Sequence, residues 1–188
     1  YALIAAQPKD LEASEIEVRL GATWLDKKYI EQFMYETFET PRYLRGQIEI
    51  SYVPYTAEWQ VSRKSMVRYN DVAAFTTYGT DRASAYRLLE DALNLRDIRI
   101  YDTIEDADGR ERRVLNAKET TLAAQKQQLI RDAFKDWIWK DPERRETLVR
   151  QYNEEMNSTR PREYDGSYIV FSGMNPEITL REHQKNAI

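Results

Sequence analysis

The spacing of apolar residues changes along this chain, and the change limits which folds the chain can adopt. Before about residue 116, apolar and polar residues alternate in several short runs such as residues 48–52, which is the pattern of half-buried strands. In the C-terminal third, apolar residues recur every three or four positions, which predicts helices. We therefore expect an α+β fold, in which small antiparallel hairpins pack with several helices and the C-terminal third is helical.

Alternation and turn residues place the strands. The predicted strands are residues 15–20, 48–52, 57–61, 98–101 and 112–115, and the first three of these runs alternate between apolar and polar residues. The first run ends at Gly21, and the second and third are joined by a short connection that contains Pro54 and suits a hairpin. The last two runs flank Asp108-Gly109, a dipeptide typical of two-residue turns. Two hairpins are thus predicted, along with one further strand at residues 15–20.

Capping residues place the helices. Helices are expected after Asp26 up to Pro41, over residues 81–94, after Asn116 and after Asp141-Pro142. The helix after Asn116 is the longest, and its predicted buried face consists of Leu122, Leu129, Ile130, Ala133, Phe134, Trp137 and Ile138. Residues 158–178 carry no regular pattern, and a last helix is predicted after Thr179.

Composition and charge exclude several classes of protein. Cysteine is absent from the 188 residues, which rules out disulfide scaffolds and thiolate zinc sites. No run approaches the roughly 18 consecutive apolar residues of a membrane span, so we expect a soluble, cytoplasmic protein. Residues 1–41 carry four basic and eight acidic side chains, whereas residues 42–188 carry 24 of each. This balance argues against a strong autonomous binder of duplex DNA, which is usually basic.

One segment has the composition of a nucleic-acid contact. Residues 42–69 hold five basic and two acidic side chains, with tyrosines and a tryptophan between them. Cations beside aromatic faces suit single-stranded nucleic acid, because phosphates and bases are then both bound. The predicted contact residues are Arg42, Arg45, Tyr55, Arg63, Lys64 and Arg68. The alternative is a half-buried hairpin with Tyr52 and Trp59 in the core and a solvated charged edge.

Catalytic motifs are missing from the sequence. His183 is the only histidine, and no glycine-rich phosphate loop is present, so we expect no enzyme activity and no cofactor or metal in this chain. The acidic side chains at Asp102, Glu105, Asp106 and Asp108 leave a metal-dependent nuclease as a remote alternative. Four acids beside one turn are more typical of a solvated loop tip.

Several motifs resemble a recurring segment of giant bacterial methylase–helicase proteins from conjugative elements and phages. They lie at residues 16–24 (IEVRLGATW), 78–82 (YGTDR), 90–95 (EDALNL), 115–120 (LNAKET), 137–145 (WIWKDPERR), 162–166 (REYDG) and 173–176 (GMNP). In that family the segment follows an adenine-specific DNA methylase and precedes a helicase. Residues 178–188 (ITLREHQKNAI) resemble the start of a Swi/Snf-type helicase, in which the glutamine matching Gln184 contacts the adenine of ATP.

The resemblance implies an arrangement of domains and a role. Residues 1–14 would be a lead-in linker, residues 15–178 a connector domain, and residues 179–188 the truncated start of the helicase. The connector would have one core or two lobes, at about 15–110 and 111–178. We expect it to couple methylase and motor on DNA, with both flanking domains as partners, while the parent protein uses S-adenosylmethionine and ATP with magnesium. The alternative is a structural spacer or protein-interaction module that docks through an exposed Trp139.

Overall fold

The computed structural model describes residues 8–68, 71–106 and 109–158, together with Asn175, Arg181 and Gln184. The helices and strands are α1 (Lys27–Thr37), β1 (Ile50–Val53), β2 (Glu58–Val61), α2 (Ala85–Leu93), β3 (Tyr101–Glu105), β4 (Glu111–Leu115), α3 (Ala117–Lys140) and α4 (Pro142–Glu155). A short 3-10 helix (Lys64–Met66) and a π-helix (Ala73–Thr77) lie between β2 and α2. β1 pairs with β2 and β3 with β4, each antiparallel, which confirms the predicted α+β class.

α1 begins where its capping residue predicts. The Asp26 carboxylate accepts a hydrogen bond from the Lys28 backbone N–H at 2.9 Å, which satisfies one of the free donors of the first turn. The apolar positions of the helix, Phe33 among them, face the core. The helix ends at Thr37, before the predicted stop at Pro41, because Glu39 takes a left-handed conformation with φ of 50°.

The first hairpin is confirmed, and side chains of α2 cover its outer edge. Trp59 pairs with Tyr52 across the ladder and is itself buried. The Asn94 side chain accepts from the Trp59 N–H and donates to its carbonyl, both at 2.8 Å. The Glu90 carboxylate accepts from the Val61 N–H at 2.8 Å. A strand edge that would otherwise be open is therefore paired by a helix.

α2 begins later than the sequence pattern predicts. The helix was expected from Asp81, but its first residue is Ala85. The reason is a tight turn before it, in which Thr80 and Ala83 exchange backbone hydrogen bonds and the Thr80 hydroxyl accepts from the Ala83 N–H at 3.0 Å. The π-helix at Ala73–Thr77 was not predicted at all.

α3 is the long helix predicted after Asn116, whose side chain accepts from the Glu119 N–H at 3.0 Å. Its buried stripe consists of Ala123, Gln127, Ile130, Phe134 and Ile138. The prediction that Leu122 and Leu129 share this face is wrong, since they are 40% and 43% exposed. Each lies one residue before a buried position, about 100° away around the helix.

α4 also follows its sequence signals, with Asp141 as the cap and Pro142 as the first helical residue. Arg144 in its first turn ties α4 back to α3. The guanidinium donates to the carbonyls of Ile138 at 2.9 Å and Trp137 at 2.6 Å, which are the last turn of α3. It also stacks on the Trp137 ring, with 3.6 Å from Cζ to the ring centroid.

The second hairpin differs from the prediction at both ends. Its ladder starts at Tyr101, because residues 98–100 turn to the N-terminus of α3, where Ile100 exchanges hydrogen bonds with Thr120 and Asn116. At the tip, the backbone N–H of Asp106 donates to the carbonyl of Arg110 at 2.9 Å, which leaves three residues between them. The expected two-residue turn is therefore wrong; residues 107 and 108 lie outside the described residues.

The strand predicted at residues 15–20 is only half right. Ile16, Val18 and Leu20 are buried and alternate with exposed Glu17 and Arg19, as in an extended strand. No described residue pairs with them, so the segment belongs to neither sheet. Alternation reports which face is buried and carries no information about a neighbouring strand.

Packing joins the helices and the first hairpin through one hydrophobic cluster. Edge-to-face aromatic contacts link its parts: the Phe33 ring lies 5.1 Å from Phe134, and the Phe38 ring lies 5.3 Å from Tyr86. Among the described residues, no helix combines the length and apolar content that crossing a bilayer requires. The irregular stretch predicted at 158–178 and the helix predicted after Thr179 lie almost wholly outside the described residues.

Candidate nucleic-acid interface

A cleft forms where the chain after β2 packs against the turn that follows α1. The Ser62 hydroxyl donates to the Gln47 carbonyl at 3.2 Å, and the Gln47 amide donates to the Tyr43 carbonyl at 2.7 Å. These bonds hold the two segments side by side. The cleft has a volume of about 240 Å³ and is lined by Pro41, Tyr43, Leu44, Val67, Arg68 and Asp71.

Three of the predicted contact residues have exposed guanidinium groups, and one of them lines this cleft. Arg42, Arg63 and Arg68 are exposed, and their side chains form no ion pair or hydrogen bond with any residue that the structure describes. Arg68 lines the cleft, and Arg42 lies between two of its lining residues. Arg63 has a left-handed backbone with φ of 47°, which is uncommon for a residue with a side chain. These three cations are available to a ligand.

Arg45 and Lys64, the other two predicted cations, are held by the fold itself. The Arg45 guanidinium donates to the Thr40 carbonyl at 2.9 Å and lies over the Tyr35 ring. The Lys64 ammonium bonds to one oxygen of the Glu90 carboxylate, whose other oxygen accepts from β2. Both therefore stabilise the walls of the cleft, and nothing in the sequence near them shows this, because Glu90 is 26 residues from Lys64.

The aromatic side chains separate into two groups. Tyr55 is 98% exposed, but it lies at the hairpin tip, beyond the Val53–Glu58 pair, while Arg63 follows the opposite end of β2. At roughly 3.4 Å per residue, the ladder alone separates them by about 10 Å. Tyr43 is 63% exposed and borders the cleft, so it is the ring that the structure places beside the cations. Sequence reasoning did not select it, although its position next to Arg42 was the available signal.

Trp59 is not available for stacking. It is 5% exposed, its indole N–H donates to the Gly21 carbonyl at 3.3 Å, and its ring lies 4.9 Å from the half-buried ring of Tyr52. The alternative interpretation of this hairpin is thus correct for its strands. The free cations lie in the turns that flank the strands, and their contact with nucleic acid stays a prediction.

An acid within the cleft is partly satisfied by the backbone. The Asp71 carboxylate accepts a hydrogen bond from the Ala74 N–H at 3.0 Å, at the start of the π-helix. π-helical turns are frequent at functional sites. Asp71 and Arg68 are the two charged side chains that line the cleft, and Arg42 follows the lining residue Pro41 in the sequence.

The acidic loop does not form a metal site within the described residues, where no three or more histidine or acidic side chains converge. Asp102 accepts from the Arg82 guanidinium and from the Asn116 amide, both at 2.7 Å. These bonds, with that to Arg82 the stronger, lower the pKa of the Asp102 carboxyl below its ordinary value. Asp102 thus anchors the base of the second hairpin. Asp108 lies outside the described residues.

Two other predicted features are placed by the structure. Gln184 is exposed, and its side-chain oxygen accepts from the Arg181 N–H at 3.0 Å; its contact with adenine stays a prediction. Trp139 was expected to be exposed for docking. That expectation is wrong, since the residue is half-buried against the core beside residues 14–18.

The fold and the cleft define an α+β domain that carries a small groove lined by Tyr43, Arg68 and Asp71 between two turns. The chain belongs to the family described as Domain of unknown function (DUF8437), which matches residues 19–158. This range includes both hairpins, all of the helices described above and the cleft. No curated protein and no solved structure matches the chain.

Proposed function

We propose that this chain is a non-catalytic connector domain that contacts DNA within a large bacterial methylase–helicase polypeptide of the cytoplasm. The observation that carries the DNA contact is the set of exposed arginines, Arg42, Arg63 and Arg68, that have no partner among the described residues; Arg68 lines a cleft beside exposed Tyr43. The motifs that resemble the methylase–helicase segment support the polypeptide context. S-adenosylmethionine and ATP would then belong to the flanking domains.

Single-stranded DNA fits the cleft better than duplex. An exposed tyrosine can stack on an unpaired base, while guanidinium groups bind the adjacent phosphates. The whole chain has a net charge of −4, which opposes the broad phosphate neutralisation that duplex binding requires. A strand displaced near a methylase or a helicase offers both an accessible base and a flexible backbone.

The test is fluorescence anisotropy with a labelled single-stranded oligonucleotide over a range of salt concentrations. The variant replaces Arg42, Arg63 and Arg68 with alanine and leaves Arg45 and Lys64 intact, because these two hold the fold. Each phosphate contact contributes about 0.7 to the slope of log affinity against log salt for single strands. We therefore expect the triple variant to lower the slope by about 2.

A matched control removes equal charge elsewhere, with alanine at Arg99, Arg110 and Arg150, all of which are exposed. The control should retain most of the slope. An equal loss of slope in the triple variant and in the control would mean that the overall charge of the protein binds DNA without a defined site. No binding by the unmodified protein at low salt would refute the DNA contact.

A spacer or protein-interaction module is the second candidate function, and exposed apolar side chains favour it. Those on the second hairpin and α3 are Ile104, Val114, Leu115, Leu122 and Leu129, each at least 38% exposed. Exposed apolar surface often marks a protein contact. Serine at Leu122 and Leu129 should then weaken binding to the flanking methylase or helicase, measured by calorimetry with separately expressed domains, without changing DNA binding.

A further inference from the structure

Glu15, Glu17 and Arg19 carry backbone hydrogen-bonding groups that have no partner among the described residues. The backbone bonds nearest to them are local turn bonds, from Glu15 N–H to the Glu12 carbonyl and from Ala22 N–H to the Arg19 carbonyl. Between these turns, the C=O of Glu15, the N–H and C=O of Glu17 and the N–H of Arg19 bond to no residue that the structure describes, and all three residues are exposed. In an extended segment, alternate residues point these groups to the same edge. The segment has the side-chain alternation of a strand and an open edge.

Space for another strand lies next to this segment. A cleft of about 270 Å³ separates residues 14–18 from α3, where Lys135 and Trp139 form the opposite wall. These two residues are four positions apart and so lie on the same face of the helix. Trp139 is half-buried, with its ring packed against the core and bordering the cleft. An extended chain placed along residues 15–18 would therefore rest on an aromatic surface.

The charges beside this edge select the occupant. Glu15 and Glu17 are exposed on the outward face, where the Arg19 guanidinium lies 3.6 Å from the Glu17 carboxylate, so this face has one acidic side chain in excess. Lys135 lies across the cleft, on its opposite wall. Acidic side chains repel phosphates, so nucleic acid does not fit here. In a strand pair, side chains on the same face lie opposite each other, and opposite charges there stabilise the pair. The complementary partner carries basic side chains on one face and apolar ones on the other.

We propose that residues 15–19 are a docking edge that binds an extended basic peptide strand of a partner polypeptide by β-augmentation. Backbone hydrogen bonds supply the affinity, and alternate side chains supply the specificity. The partner's basic residues lie beside Glu15 and Glu17, while its apolar residues cover Ile16 and Val18 at the side of Trp139. This docking edge is separate from the cationic cleft and does not rest on the proposed DNA contact.

The test uses a labelled eight-residue peptide that alternates lysine and valine, with binding followed by fluorescence anisotropy at low salt. Alternate amides of a strand point to opposite edges. Two N-methylated versions of the peptide, one methylated at every lysine and the other at every valine, therefore block opposite edges. We expect one version to lose at least about tenfold in affinity, while the other binds like the parent peptide.

Protein variants test whether the peptide binds at the docking edge or is held only by general charge attraction. Glu17→Lys reverses an exposed charge on the docking edge, and Glu111→Lys makes the same change on β4. We expect Glu17→Lys to lose about tenfold and Glu111→Lys to stay within about twofold. The proposal is overturned if the parent peptide does not bind, if the two methylated versions behave alike, or if both protein variants lose affinity equally.

Discussion

Removal of the buried Arg144 guanidinium should destabilise the junction of α3 and α4. Arg144 is 9% exposed, and its guanidinium caps two carbonyls of the last turn of α3 while it stacks on Trp137. Burial lowers the pKa of Arg144, yet the guanidinium stays protonated at neutral pH. Arg144→Met keeps most of the side-chain volume but removes the donors and the charge.

The magnitude follows from the contacts that are lost. Hydrogen bonds from a charged donor contribute about 1.5–3 kcal/mol each, and a cation at a helix C-terminus adds about 0.3–1 kcal/mol. Methionine avoids the desolvation of a buried charge, which offsets part of the loss. We therefore expect Arg144→Met to lower the free energy of unfolding by about 3 kcal/mol. For a domain of this size, that corresponds to a fall in Tm of about 6–12 °C.

Urea denaturation followed by tryptophan fluorescence measures this change, with Arg144→Lys as the matched control. Lysine keeps the charge and can bond to one of the two carbonyls, but it lacks the planar fork and stacks poorly. The control should lose about half as much as the methionine variant. A loss below about 1 kcal/mol in Arg144→Met would refute the reasoning that this cap holds the two helices together.

Two further predictions concern the core. Burial raises the pKa of Tyr86 to about 12, so the unfolded chain loses this proton first, near pH 10, and stability falls between about pH 10 and 12. In urea titrations, Tyr86→Phe should reduce that fall in stability by about 2 kcal/mol. At pH 7 the same change should lower the free energy of unfolding by about 1 kcal/mol, because the 2.7 Å hydrogen bond to Thr40 is lost. A pH profile that is unchanged in the variant would contradict this prediction. A Cβ at Gly79 would lie 2.0 Å from the Ala74 carbonyl oxygen, whereas one at Gly46 meets nothing within 4 Å. By calorimetry, Gly79→Ala should lower the free energy of unfolding by more than about 3 kcal/mol. Gly46→Ala should lower it by only about 1 kcal/mol, because the backbone at Gly46 has a positive φ. Equal losses would show that the clash at Gly79 relaxes.

Helix starts were predictable because their signals are local. Asp26, Asn116 and Asp141 each bond to an N–H two or three residues ahead, so the sequence contains both partners within one turn. The start of α2 was missed because the hydrogen bonds of Thr80 compete with the helix over the same residues. The alternation of residues 15–20 showed correctly which side chains are buried. It could not show whether a strand pairs with them, and none of the described residues does, because strand pairing depends on residues that are distant in the sequence.

The sequence predicted the types of residue at the candidate site. It identified only some of the residues that are free to bind a ligand. Arg42, Arg63 and Arg68 remain free, whereas Lys64 is bound to a carboxylate on α2. The sequence does not contain this distinction, because it depends on which helix packs against the hairpin. Tyr55 was selected because it is an aromatic residue within the basic segment, and it is exposed in the structure. The sequence alone could not show how far the hairpin ladder separates Tyr55 from the cations.

The DNA contact that we propose would be weak, and a weak contact suits a connector domain. Three phosphate contacts to a single strand predict a salt slope of only about −2, so affinity falls roughly twentyfold between 50 and 200 mM salt. Such a contact would be lost by an isolated domain in the cell. A domain joined to a methylase and a helicase that already hold DNA acts at a high effective concentration, and modest affinity then suffices. Strong binding would oppose the motion of a motor along DNA, because each step would have to break it. The net charge of −4, with its excess acid confined to residues 1–41, is therefore consistent with a domain that guides DNA and releases it.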